Sequence, residues 1–420
     1  MVARLVRSVR LSKRAGHILV LAAVVSVLLV MVVGLTVDSG LVYGKKAKLS
    51  KAADAAAFAG LSNVSQGESQ AIRIAEQVFH SNYLYDPQSP GTDYQAPTID
   101  IEFVTNSSNN RAIVIDAHAF AAPLFGRILG LTQFNLSAHA EASRAKLVLS
   151  LALDRSGSMN GNGGCSALPP AANAFVDFFD EAYDRMSLTT YASHARLDVP
   201  MTTNFKAPVH AAVPVGCNTV YGGFTFIDGG LGIAGAQNAS VVPGPGEDLV
   251  KVIVLFTDGL ANTFQGTFDC PPQTLINLSG SDAVSNPNNE VWALHPLNGA
   301  VLCQTPMGGT FACCPSLLTF TELRTGMQLD ARNPVLVREE AKDRAIIHAR
   351  QMRLEGNVIY TIGLGNNLDA DFLMRIANDR RSPYFTSSQP EGEFSQAPTA
   401  AELQAVFLRL ARLITLRLSA

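Results

Sequence analysis

From Ile18 to Val37 the chain runs for twenty residues without a charged side chain. As a helix such a run is about 30 Å long, enough to cross the hydrocarbon core of a bilayer. It exceeds the ~7–15 residues of a signal-peptide apolar core, so the expectation is an uncleaved anchor rather than a removed leader. Arg4, Arg7, Arg10, Lys13 and Arg14 precede it with no acid among them, which favours a cytoplasmic N-terminus. Lys45, Lys46, Lys48 and Lys51 beyond it dilute that bias. Charged residues make up 16% of the 420, below the ~25% usual in soluble domains, as a chain partly in lipid requires.

The rest of the chain divides by its patterning. Residues 1–60 hold the basic tail, the anchor and a helix rich in alanine (Ala52, Ala53, Ala55, Ala56, Ala57, Ala59) that should continue out of the membrane. Residues 61–96 hold a helix over 68–82, apolar at Ile72, Ala75 and Phe79, and a Pro/Gly/Asp-rich linker. In 97–145 the period is two. Ile99, Ile101 and Phe103 alternate with Asp100 and Glu102, and Phe134, Leu136, Ala138 and Ala140 with polar partners, which predicts a small strand-rich spacer module. A short apolar helix is expected near 123–129.

Residues 146–420 alternate strands and helices. Strands are predicted at 147–153, 187–193, 196–200, 251–257 and 357–363, and helices at 170–185, 226–239, 334–354, 369–378 and 399–418. This order calls for an α/β fold with a doubly wound, mostly parallel sheet covered on both faces. Residues 262–333 fit neither period and read as an insertion, which at this length is either functional or stapled.

The chemistry concentrates at strand ends. Leu147 to Leu153 is apolar enough for a buried strand, and Asp154-Arg155-Ser156-Gly157-Ser158 follows it. A buried parallel strand delivers its next loop to the carboxyl edge of the sheet, where such domains bind ligands. One carboxylate and two hydroxyls on a single turn are hard oxygen donors of the kind a small dication accepts. Val252 to Phe256 is a second such run and stops at Thr257-Asp258-Gly259, while Thr225 supplies a hydroxyl at the entry to a small-residue helix.

These three segments, in this order, resemble the metal-ion-dependent adhesion site of the von Willebrand factor A (VWA) domain family, over Lys146 to about Leu418. On that resemblance Asp154, Ser156, Ser158, Thr225 and Asp258 take the five metal-site positions. The resemblance implies a divalent cation, with Mg2+ preferred and Mn2+ or Ca2+ as alternatives. It also implies an open coordination position filled by an Asp or Glu of a partner protein.

A second resemblance lies at the N-terminus. Arg14-Ala15-Gly16, the apolar run, Val37-Asp38-Ser39-Gly40, Tyr43 and Ala52-Ala53-Asp54-Ala55-Ala56-Ala57 are similar to the N-terminal segment of the TadE/TadG-like proteins of bacterial tight-adherence (Flp) pilus assembly. With a VWA domain behind it, the pairing resembles the TadG type. It implies a single-pass protein of the bacterial inner membrane, N-terminus in the cytoplasm and VWA domain periplasmic or otherwise extracytoplasmic. Other pilus components then become candidate partners, and the role is pilus assembly or adhesion. A structural spacer with an inactive metal site is the alternative.

Six cysteines, Cys165, Cys217, Cys270, Cys303, Cys313 and Cys314, all follow the anchor, and an even number fits disulfides in an oxidising compartment. Six allow fifteen connectivities; Cys165 follows the first metal loop and Cys217 precedes the second, which makes them candidates to pair and would leave four to cross-link the insertion. A zinc cluster is the rival reading, though no Cys-x-x-Cys occurs. A net charge of -3 gives no reason to expect nucleic-acid binding. An enzyme is the least favoured class, and no catalytic residue is assigned. Gly230-x-Gly232-x-x-Gly235 matches a dinucleotide fingerprint but has no strand leading into it, no hydrolase elbow surrounds Ser156 or Ser158, and no general base can be placed.

Overall fold

α1 (Lys13–Ser62) is a single helix of 50 residues. In the computed structural model, which describes residues 13–64, 67–84, 96–107, 110–161, 163–213, 223–270, 275–281 and 289–418, the chain forms two compact units. α1 begins the first. Its apolar run is exposed almost throughout, and it is the one helix among the described residues long and apolar enough to cross a membrane.

The second half of α1 behaves differently because its composition does. Leu49, Ala52, Ala53, Ala56, Ala57 and Leu61 recur at helical spacing and are buried. They share a core with Ala75, Phe79 and Tyr83 of α2 (Glu68–Tyr83) and with a three-stranded sheet of order β1 (Thr98–Thr105), β2 (Arg111–Ala121), β3 (Phe134–Arg144). Ile113, Ile115, Ala117 and Ala119 of β2 face this core at alternate positions. Small residues let the layers approach closely, and a Cβ at Gly60 would sit 2.5 Å from the Ile113 side chain. The short helix expected before β3 is a 3-10 turn, Gly126–Leu129.

The second unit is the α/β part. Its chain order is β4 (Lys146–Asp154), α3 (Ser158–Gly161), α4 (Gly164–Asp177), β5 (Arg185–Tyr191), β6 (Ala195–Thr202), α5 (Lys206–Ala212), α6 (Ile227–Ala239) and β7 (Leu249–Thr257). The segment predicted as an insertion then contributes β8 (Thr263–Thr267), β9 (Leu275–Gly280), β10 (Glu290–Leu294), β11 (Val301–Pro306), β12 (Thr319–Thr321) and β13 (Gln328–Asp330). The chain returns through α7 (Pro334–Leu354), β14 (Val358–Leu364), α8 (Ala370–Ala377), β15 (Phe394–Ala397) and α9 (Leu403–Leu418).

Six strands form the main sheet in the order β15-β14-β7-β4-β5-β6, parallel except for β6 at one edge. Leu147, Leu149, Leu151 and Leu153 of β4 point to one face with Val252, Val254 and Phe256 of β7, under α4, α5 and α9. Ala152, Ile253 and Leu255 point to the other, under α6, α7 and α8. The expected doubly wound, mostly parallel sheet is therefore present, with β4 and β7 at its centre.

Besides α5 and β15, which are not among the predicted elements, two regions differ from expectation. α4 runs from Gly164 to Asp177, not 170 to 185, and carries Pro169 and Pro170 inside it. It stops early because the Asp184 carboxylate accepts the Asp180 N–H and the Asp180 carboxylate accepts the Ala182 N–H. Such local bonds offer the backbone an alternative to the helix. The insertion is not structureless. β8 to β11 form an antiparallel sheet of order β11-β10-β9-β8, and β12 pairs with β13. Cys270–Cys314 and Cys303–Cys313 staple it, in place of a zinc cluster. No described cysteine is free; Cys217, and with it the candidate pairing to Cys165, lies outside the described residues.

Candidate metal centre

β4 and β7 run parallel with Leu153 opposite Phe256, so Asp154 and Thr257 leave the sheet side by side. On the other flank Asp154 stands opposite Tyr191 of β5. The loop after β4 bends at once. The Ser156 N–H donates to Asp154 Oδ1 at 2.7 Å, and the Thr257 hydroxyl donates to Asp154 Oδ2 at 2.6 Å. Both carboxylate oxygens are thereby fixed before any ligand arrives.

From Asp154 the oxygens continue in a chain. Ser156 Oγ and Ser158 Oγ are 3.0 Å apart, and the Ser158 hydroxyl donates to Asp258 Oδ1 at 2.6 Å. Thr225 enters from the third segment. Its N–H donates to Asn262 Oδ1 at 2.7 Å and its carbonyl accepts the Asn262 N–H, while the Phe226 N–H donates to the Ala192 carbonyl. A Cβ built on Gly259 would lie 3.3 Å from Ser158 Oγ and 3.6 Å from Thr225 Oγ1, so both hydroxyls crowd one point beside Asp258. Gly157 is needed for the same closeness, since a side chain there would meet the Gly223 backbone at 3.2 Å. All five residues singled out in the sequence are thus brought together at the carboxyl edge of the central strands.

Asp154, Ser156, Thr225 and Asp258 are buried, whereas Ser158 is exposed, so the cluster opens to solvent on the Ser158 side. Burial, and after it the neighbouring Asp258 carboxylate, push Asp154 up to about 7, against the hydrogen bonds from Ser156 and Thr257. Two carboxylates held near one another in a low dielectric resist joint ionisation. A divalent cation would remove that conflict, and an all-oxygen set of carboxylates and hydroxyls suits a hard ion that keeps water ligands. The residues present therefore fit the group that the sequence implies.

Sequence reasoning missed Thr257 and Asn262. Thr257 had a signal, because it precedes Asp258 at the end of a parallel strand beside β4. Asn262 had none, since it acts only through the backbone of a residue 37 positions away. Arg155, between the candidate ligands, is half-buried in a small crevice with His194 and Arg196. The dinucleotide-like glycines lie inside α6, where side chains at Gly230 and Gly235 would collide with Tyr191 and Met352. The smallness of these two serves helix packing, while Gly232 faces open space.

Residues 16–63 match the family model described as "Putative Flp pilus-assembly TadE/G-like". The matched segment is the anchor and the alanine-rich half of α1. No curated protein matches the chain. Solved structures that align with it include the vWF domain of the type V pili tip protein Mfa5 from Porphyromonas gingivalis, 17% identical, over 66% of this chain and 97% of that one, with TM-score 0.41. The PilB minor pilin from Streptococcus sanguinis aligns over 77% of this chain and 79% of its own, at 14% identity and TM-score 0.41. Proximal thread matrix protein 1 from the mussel byssus, with a zinc-occupied MIDAS motif, aligns at 15% identity and TM-score 0.35. That alignment covers 65% of this chain and 46% of the mussel protein.

Proposed function

We propose that this chain is a membrane-anchored, metal-dependent protein-binding protein acting in Flp pilus assembly or surface adhesion, and not an enzyme. α1 holds it in the bacterial inner membrane with the N-terminus in the cytoplasm, and the α/β domain of 146–420 works in the periplasm. The observation that carries the reading is the convergence of Asp154, Ser156, Ser158, Thr225 and Asp258 from three separate segments, with Asp154 buried against a second carboxylate.

Each residue has a part that follows from its position. Asp154, held at both oxygens, and Asp258 supply the negative charge that selects a cation. Ser156 and Thr225, both buried, set the size of the site. Ser158, at the mouth, marks the side from which a partner arrives. A divalent cation held there, Mg2+ foremost, would present an open position to an Asp or Glu of the partner. The TadE/G-like match supports a partner among other pilus components.

The test is calorimetric titration of Mg2+ into the full chain in detergent, compared with Asp154→Ala and with Ser158→Ala. The expectation is a binding heat that Asp154→Ala abolishes and Ser158→Ala, at an exposed position, weakens with the fold intact. Equal binding by all three proteins would end the adhesion-site reading and leave a structural spacer.

A further inference from the structure

The turn between β2 and β3 is held against α1 in an unusual way. Asp38, one residue beyond the apolar run, is only 2% exposed. Its carboxylate accepts the N–H groups of Leu124, Phe125 and Gly126, at 2.8 Å, 3.1 Å and 2.6 Å. The following donors are also satisfied within the turn, Ile128 N–H by the Phe125 carbonyl, Gly130 N–H by Arg127 and Leu131 N–H by Gly126. Phe125 lies directly on Gly34, where a Cβ would approach it to 2.8 Å.

With these six donors engaged, the turn presents its apolar side chains outward. Leu124, Ile128, Leu129 and Leu131 are all exposed, Ile128 at 79%. They are not isolated, since Phe125, Ile128 and Leu129 line a cleft with Val30, Met31 and Leu35 of α1. Val30 lies seven residues inside the end of the run at Val37, about 10 Å along a helix. The same α1 residues that require lipid therefore flank the exposed turn.

We propose that the turn 122–131 is a second membrane contact, lying in the outer interface of the bilayer beside the spanning helix, with Asp38 as the latch that fixes its depth. Lipid is the occupant because the patch is continuous with a segment read as crossing the bilayer, and because satisfied donors remove the main cost of placing irregular backbone near hydrocarbon. Interfacial elements bury their apolar face roughly 5–10 Å into the headgroup and acyl boundary, the depth at which Val30 to Leu35 would hold this turn. Arg127, exposed on the same turn, is placed to reach the phosphate layer.

The inference rests on the membrane-span reading, and its test separates the two. The full chain has one tryptophan, Trp292. In a Trp292→Phe background, Ile128→Trp and Leu124→Trp report on the turn, and Val27→Trp reports on the span. Each protein is reconstituted into phosphatidylcholine/phosphatidylglycerol vesicles with or without lipid brominated along its acyl chains. Both turn positions should emit at short wavelength, lose most of their emission to brominated lipid and resist iodide. If iodide quenches them and brominated lipid does not, while Val27→Trp is quenched by the lipid, the turn is in water and the proposal fails with the span intact. If Val27→Trp also escapes brominated lipid, the span reading fails and the proposal falls with it.

Discussion

Replacing Asp154 by Asn should make the metal-free protein more stable and the metal-loaded comparison worse. In the folded chain Asp154 titrates at about 7 against an ordinary 3.8, chiefly because it is buried and secondly because Asp258 is near. Between those values the folded form keeps a proton that the unfolded form has lost, so stability falls as pH rises through the window and the loss is complete above it. About three pH units correspond to roughly 4 kcal/mol of stability withheld at pH 8. Asn removes the charge and keeps one acceptor oxygen for either the Ser156 N–H or the Thr257 hydroxyl. The lost bond returns about 1 kcal/mol, leaving a net gain on the order of 3 kcal/mol.

The assay is urea unfolding of the full chain in detergent with chelator present, followed by Trp292, which packs 4.9 Å from the ring of Phe224 beside the site. Asp154→Asn should exceed wild type at pH 8, and the difference should shrink as pH falls and end slightly in favour of wild type at pH 4, by the roughly 1 kcal/mol of the lost hydrogen bond. With Mg2+ in excess the order should reverse, because ligand binding stabilises only the protein that binds it. A variant that is less stable than wild type in chelator at pH 8, or a difference that does not change with pH, would refute the argument that a buried like-charge pair defines this site.

Other outcomes follow from packing, titration and cross-links. Phe407 of α9 is fully buried between Phe175 and Phe256, and Phe407→Ala should cost about 3–5 kcal/mol in the same unfolding assay. His348 is raised above the usual histidine value mainly by its hydrogen bond to Asp228. The pair therefore stabilises at low pH and fades as pH rises through the His348 titration, which NMR should place above that of a free histidine and Asp228→Asn should bring down. Joint replacement of Cys270 and Cys314 by Ser opens a link across 44 residues, worth about 4 kcal/mol by loop entropy. Joint replacement of Cys303 and Cys313 spans 10 residues and should cost nearer 3 kcal/mol.

Those elements whose pattern is local were readable from the residues alone. β4 and β7 announce themselves as apolar runs ended by Asp154 and Thr257-Asp258, and α2 and α9 as stripes at helical spacing. The insertion hid its strands because they are short and break the alternation: β9 is buried at five consecutive positions, and β12 and β13 have three residues each. β15 has only four residues and exists by pairing with β14. The loops after β4 and β7 could be read as oxygen-rich strand ends, and the five candidate ligands could be named as a set through the resemblance that the three segments carry. What orients them could not, because Thr257 and Asn262 act through hydrogen bonds made only once separate segments meet.

α1 passes without a break from its exposed apolar run into the packed core under β2. The two halves belong to one helix with no loop between them, so a tilt of the root is passed on to the three-stranded sheet packed on its far half. A change in bilayer thickness or a sideways pull that leans the helix is thereby carried into the attitude of the module, less whatever bend Ser39-Gly40 and Gly44 take up.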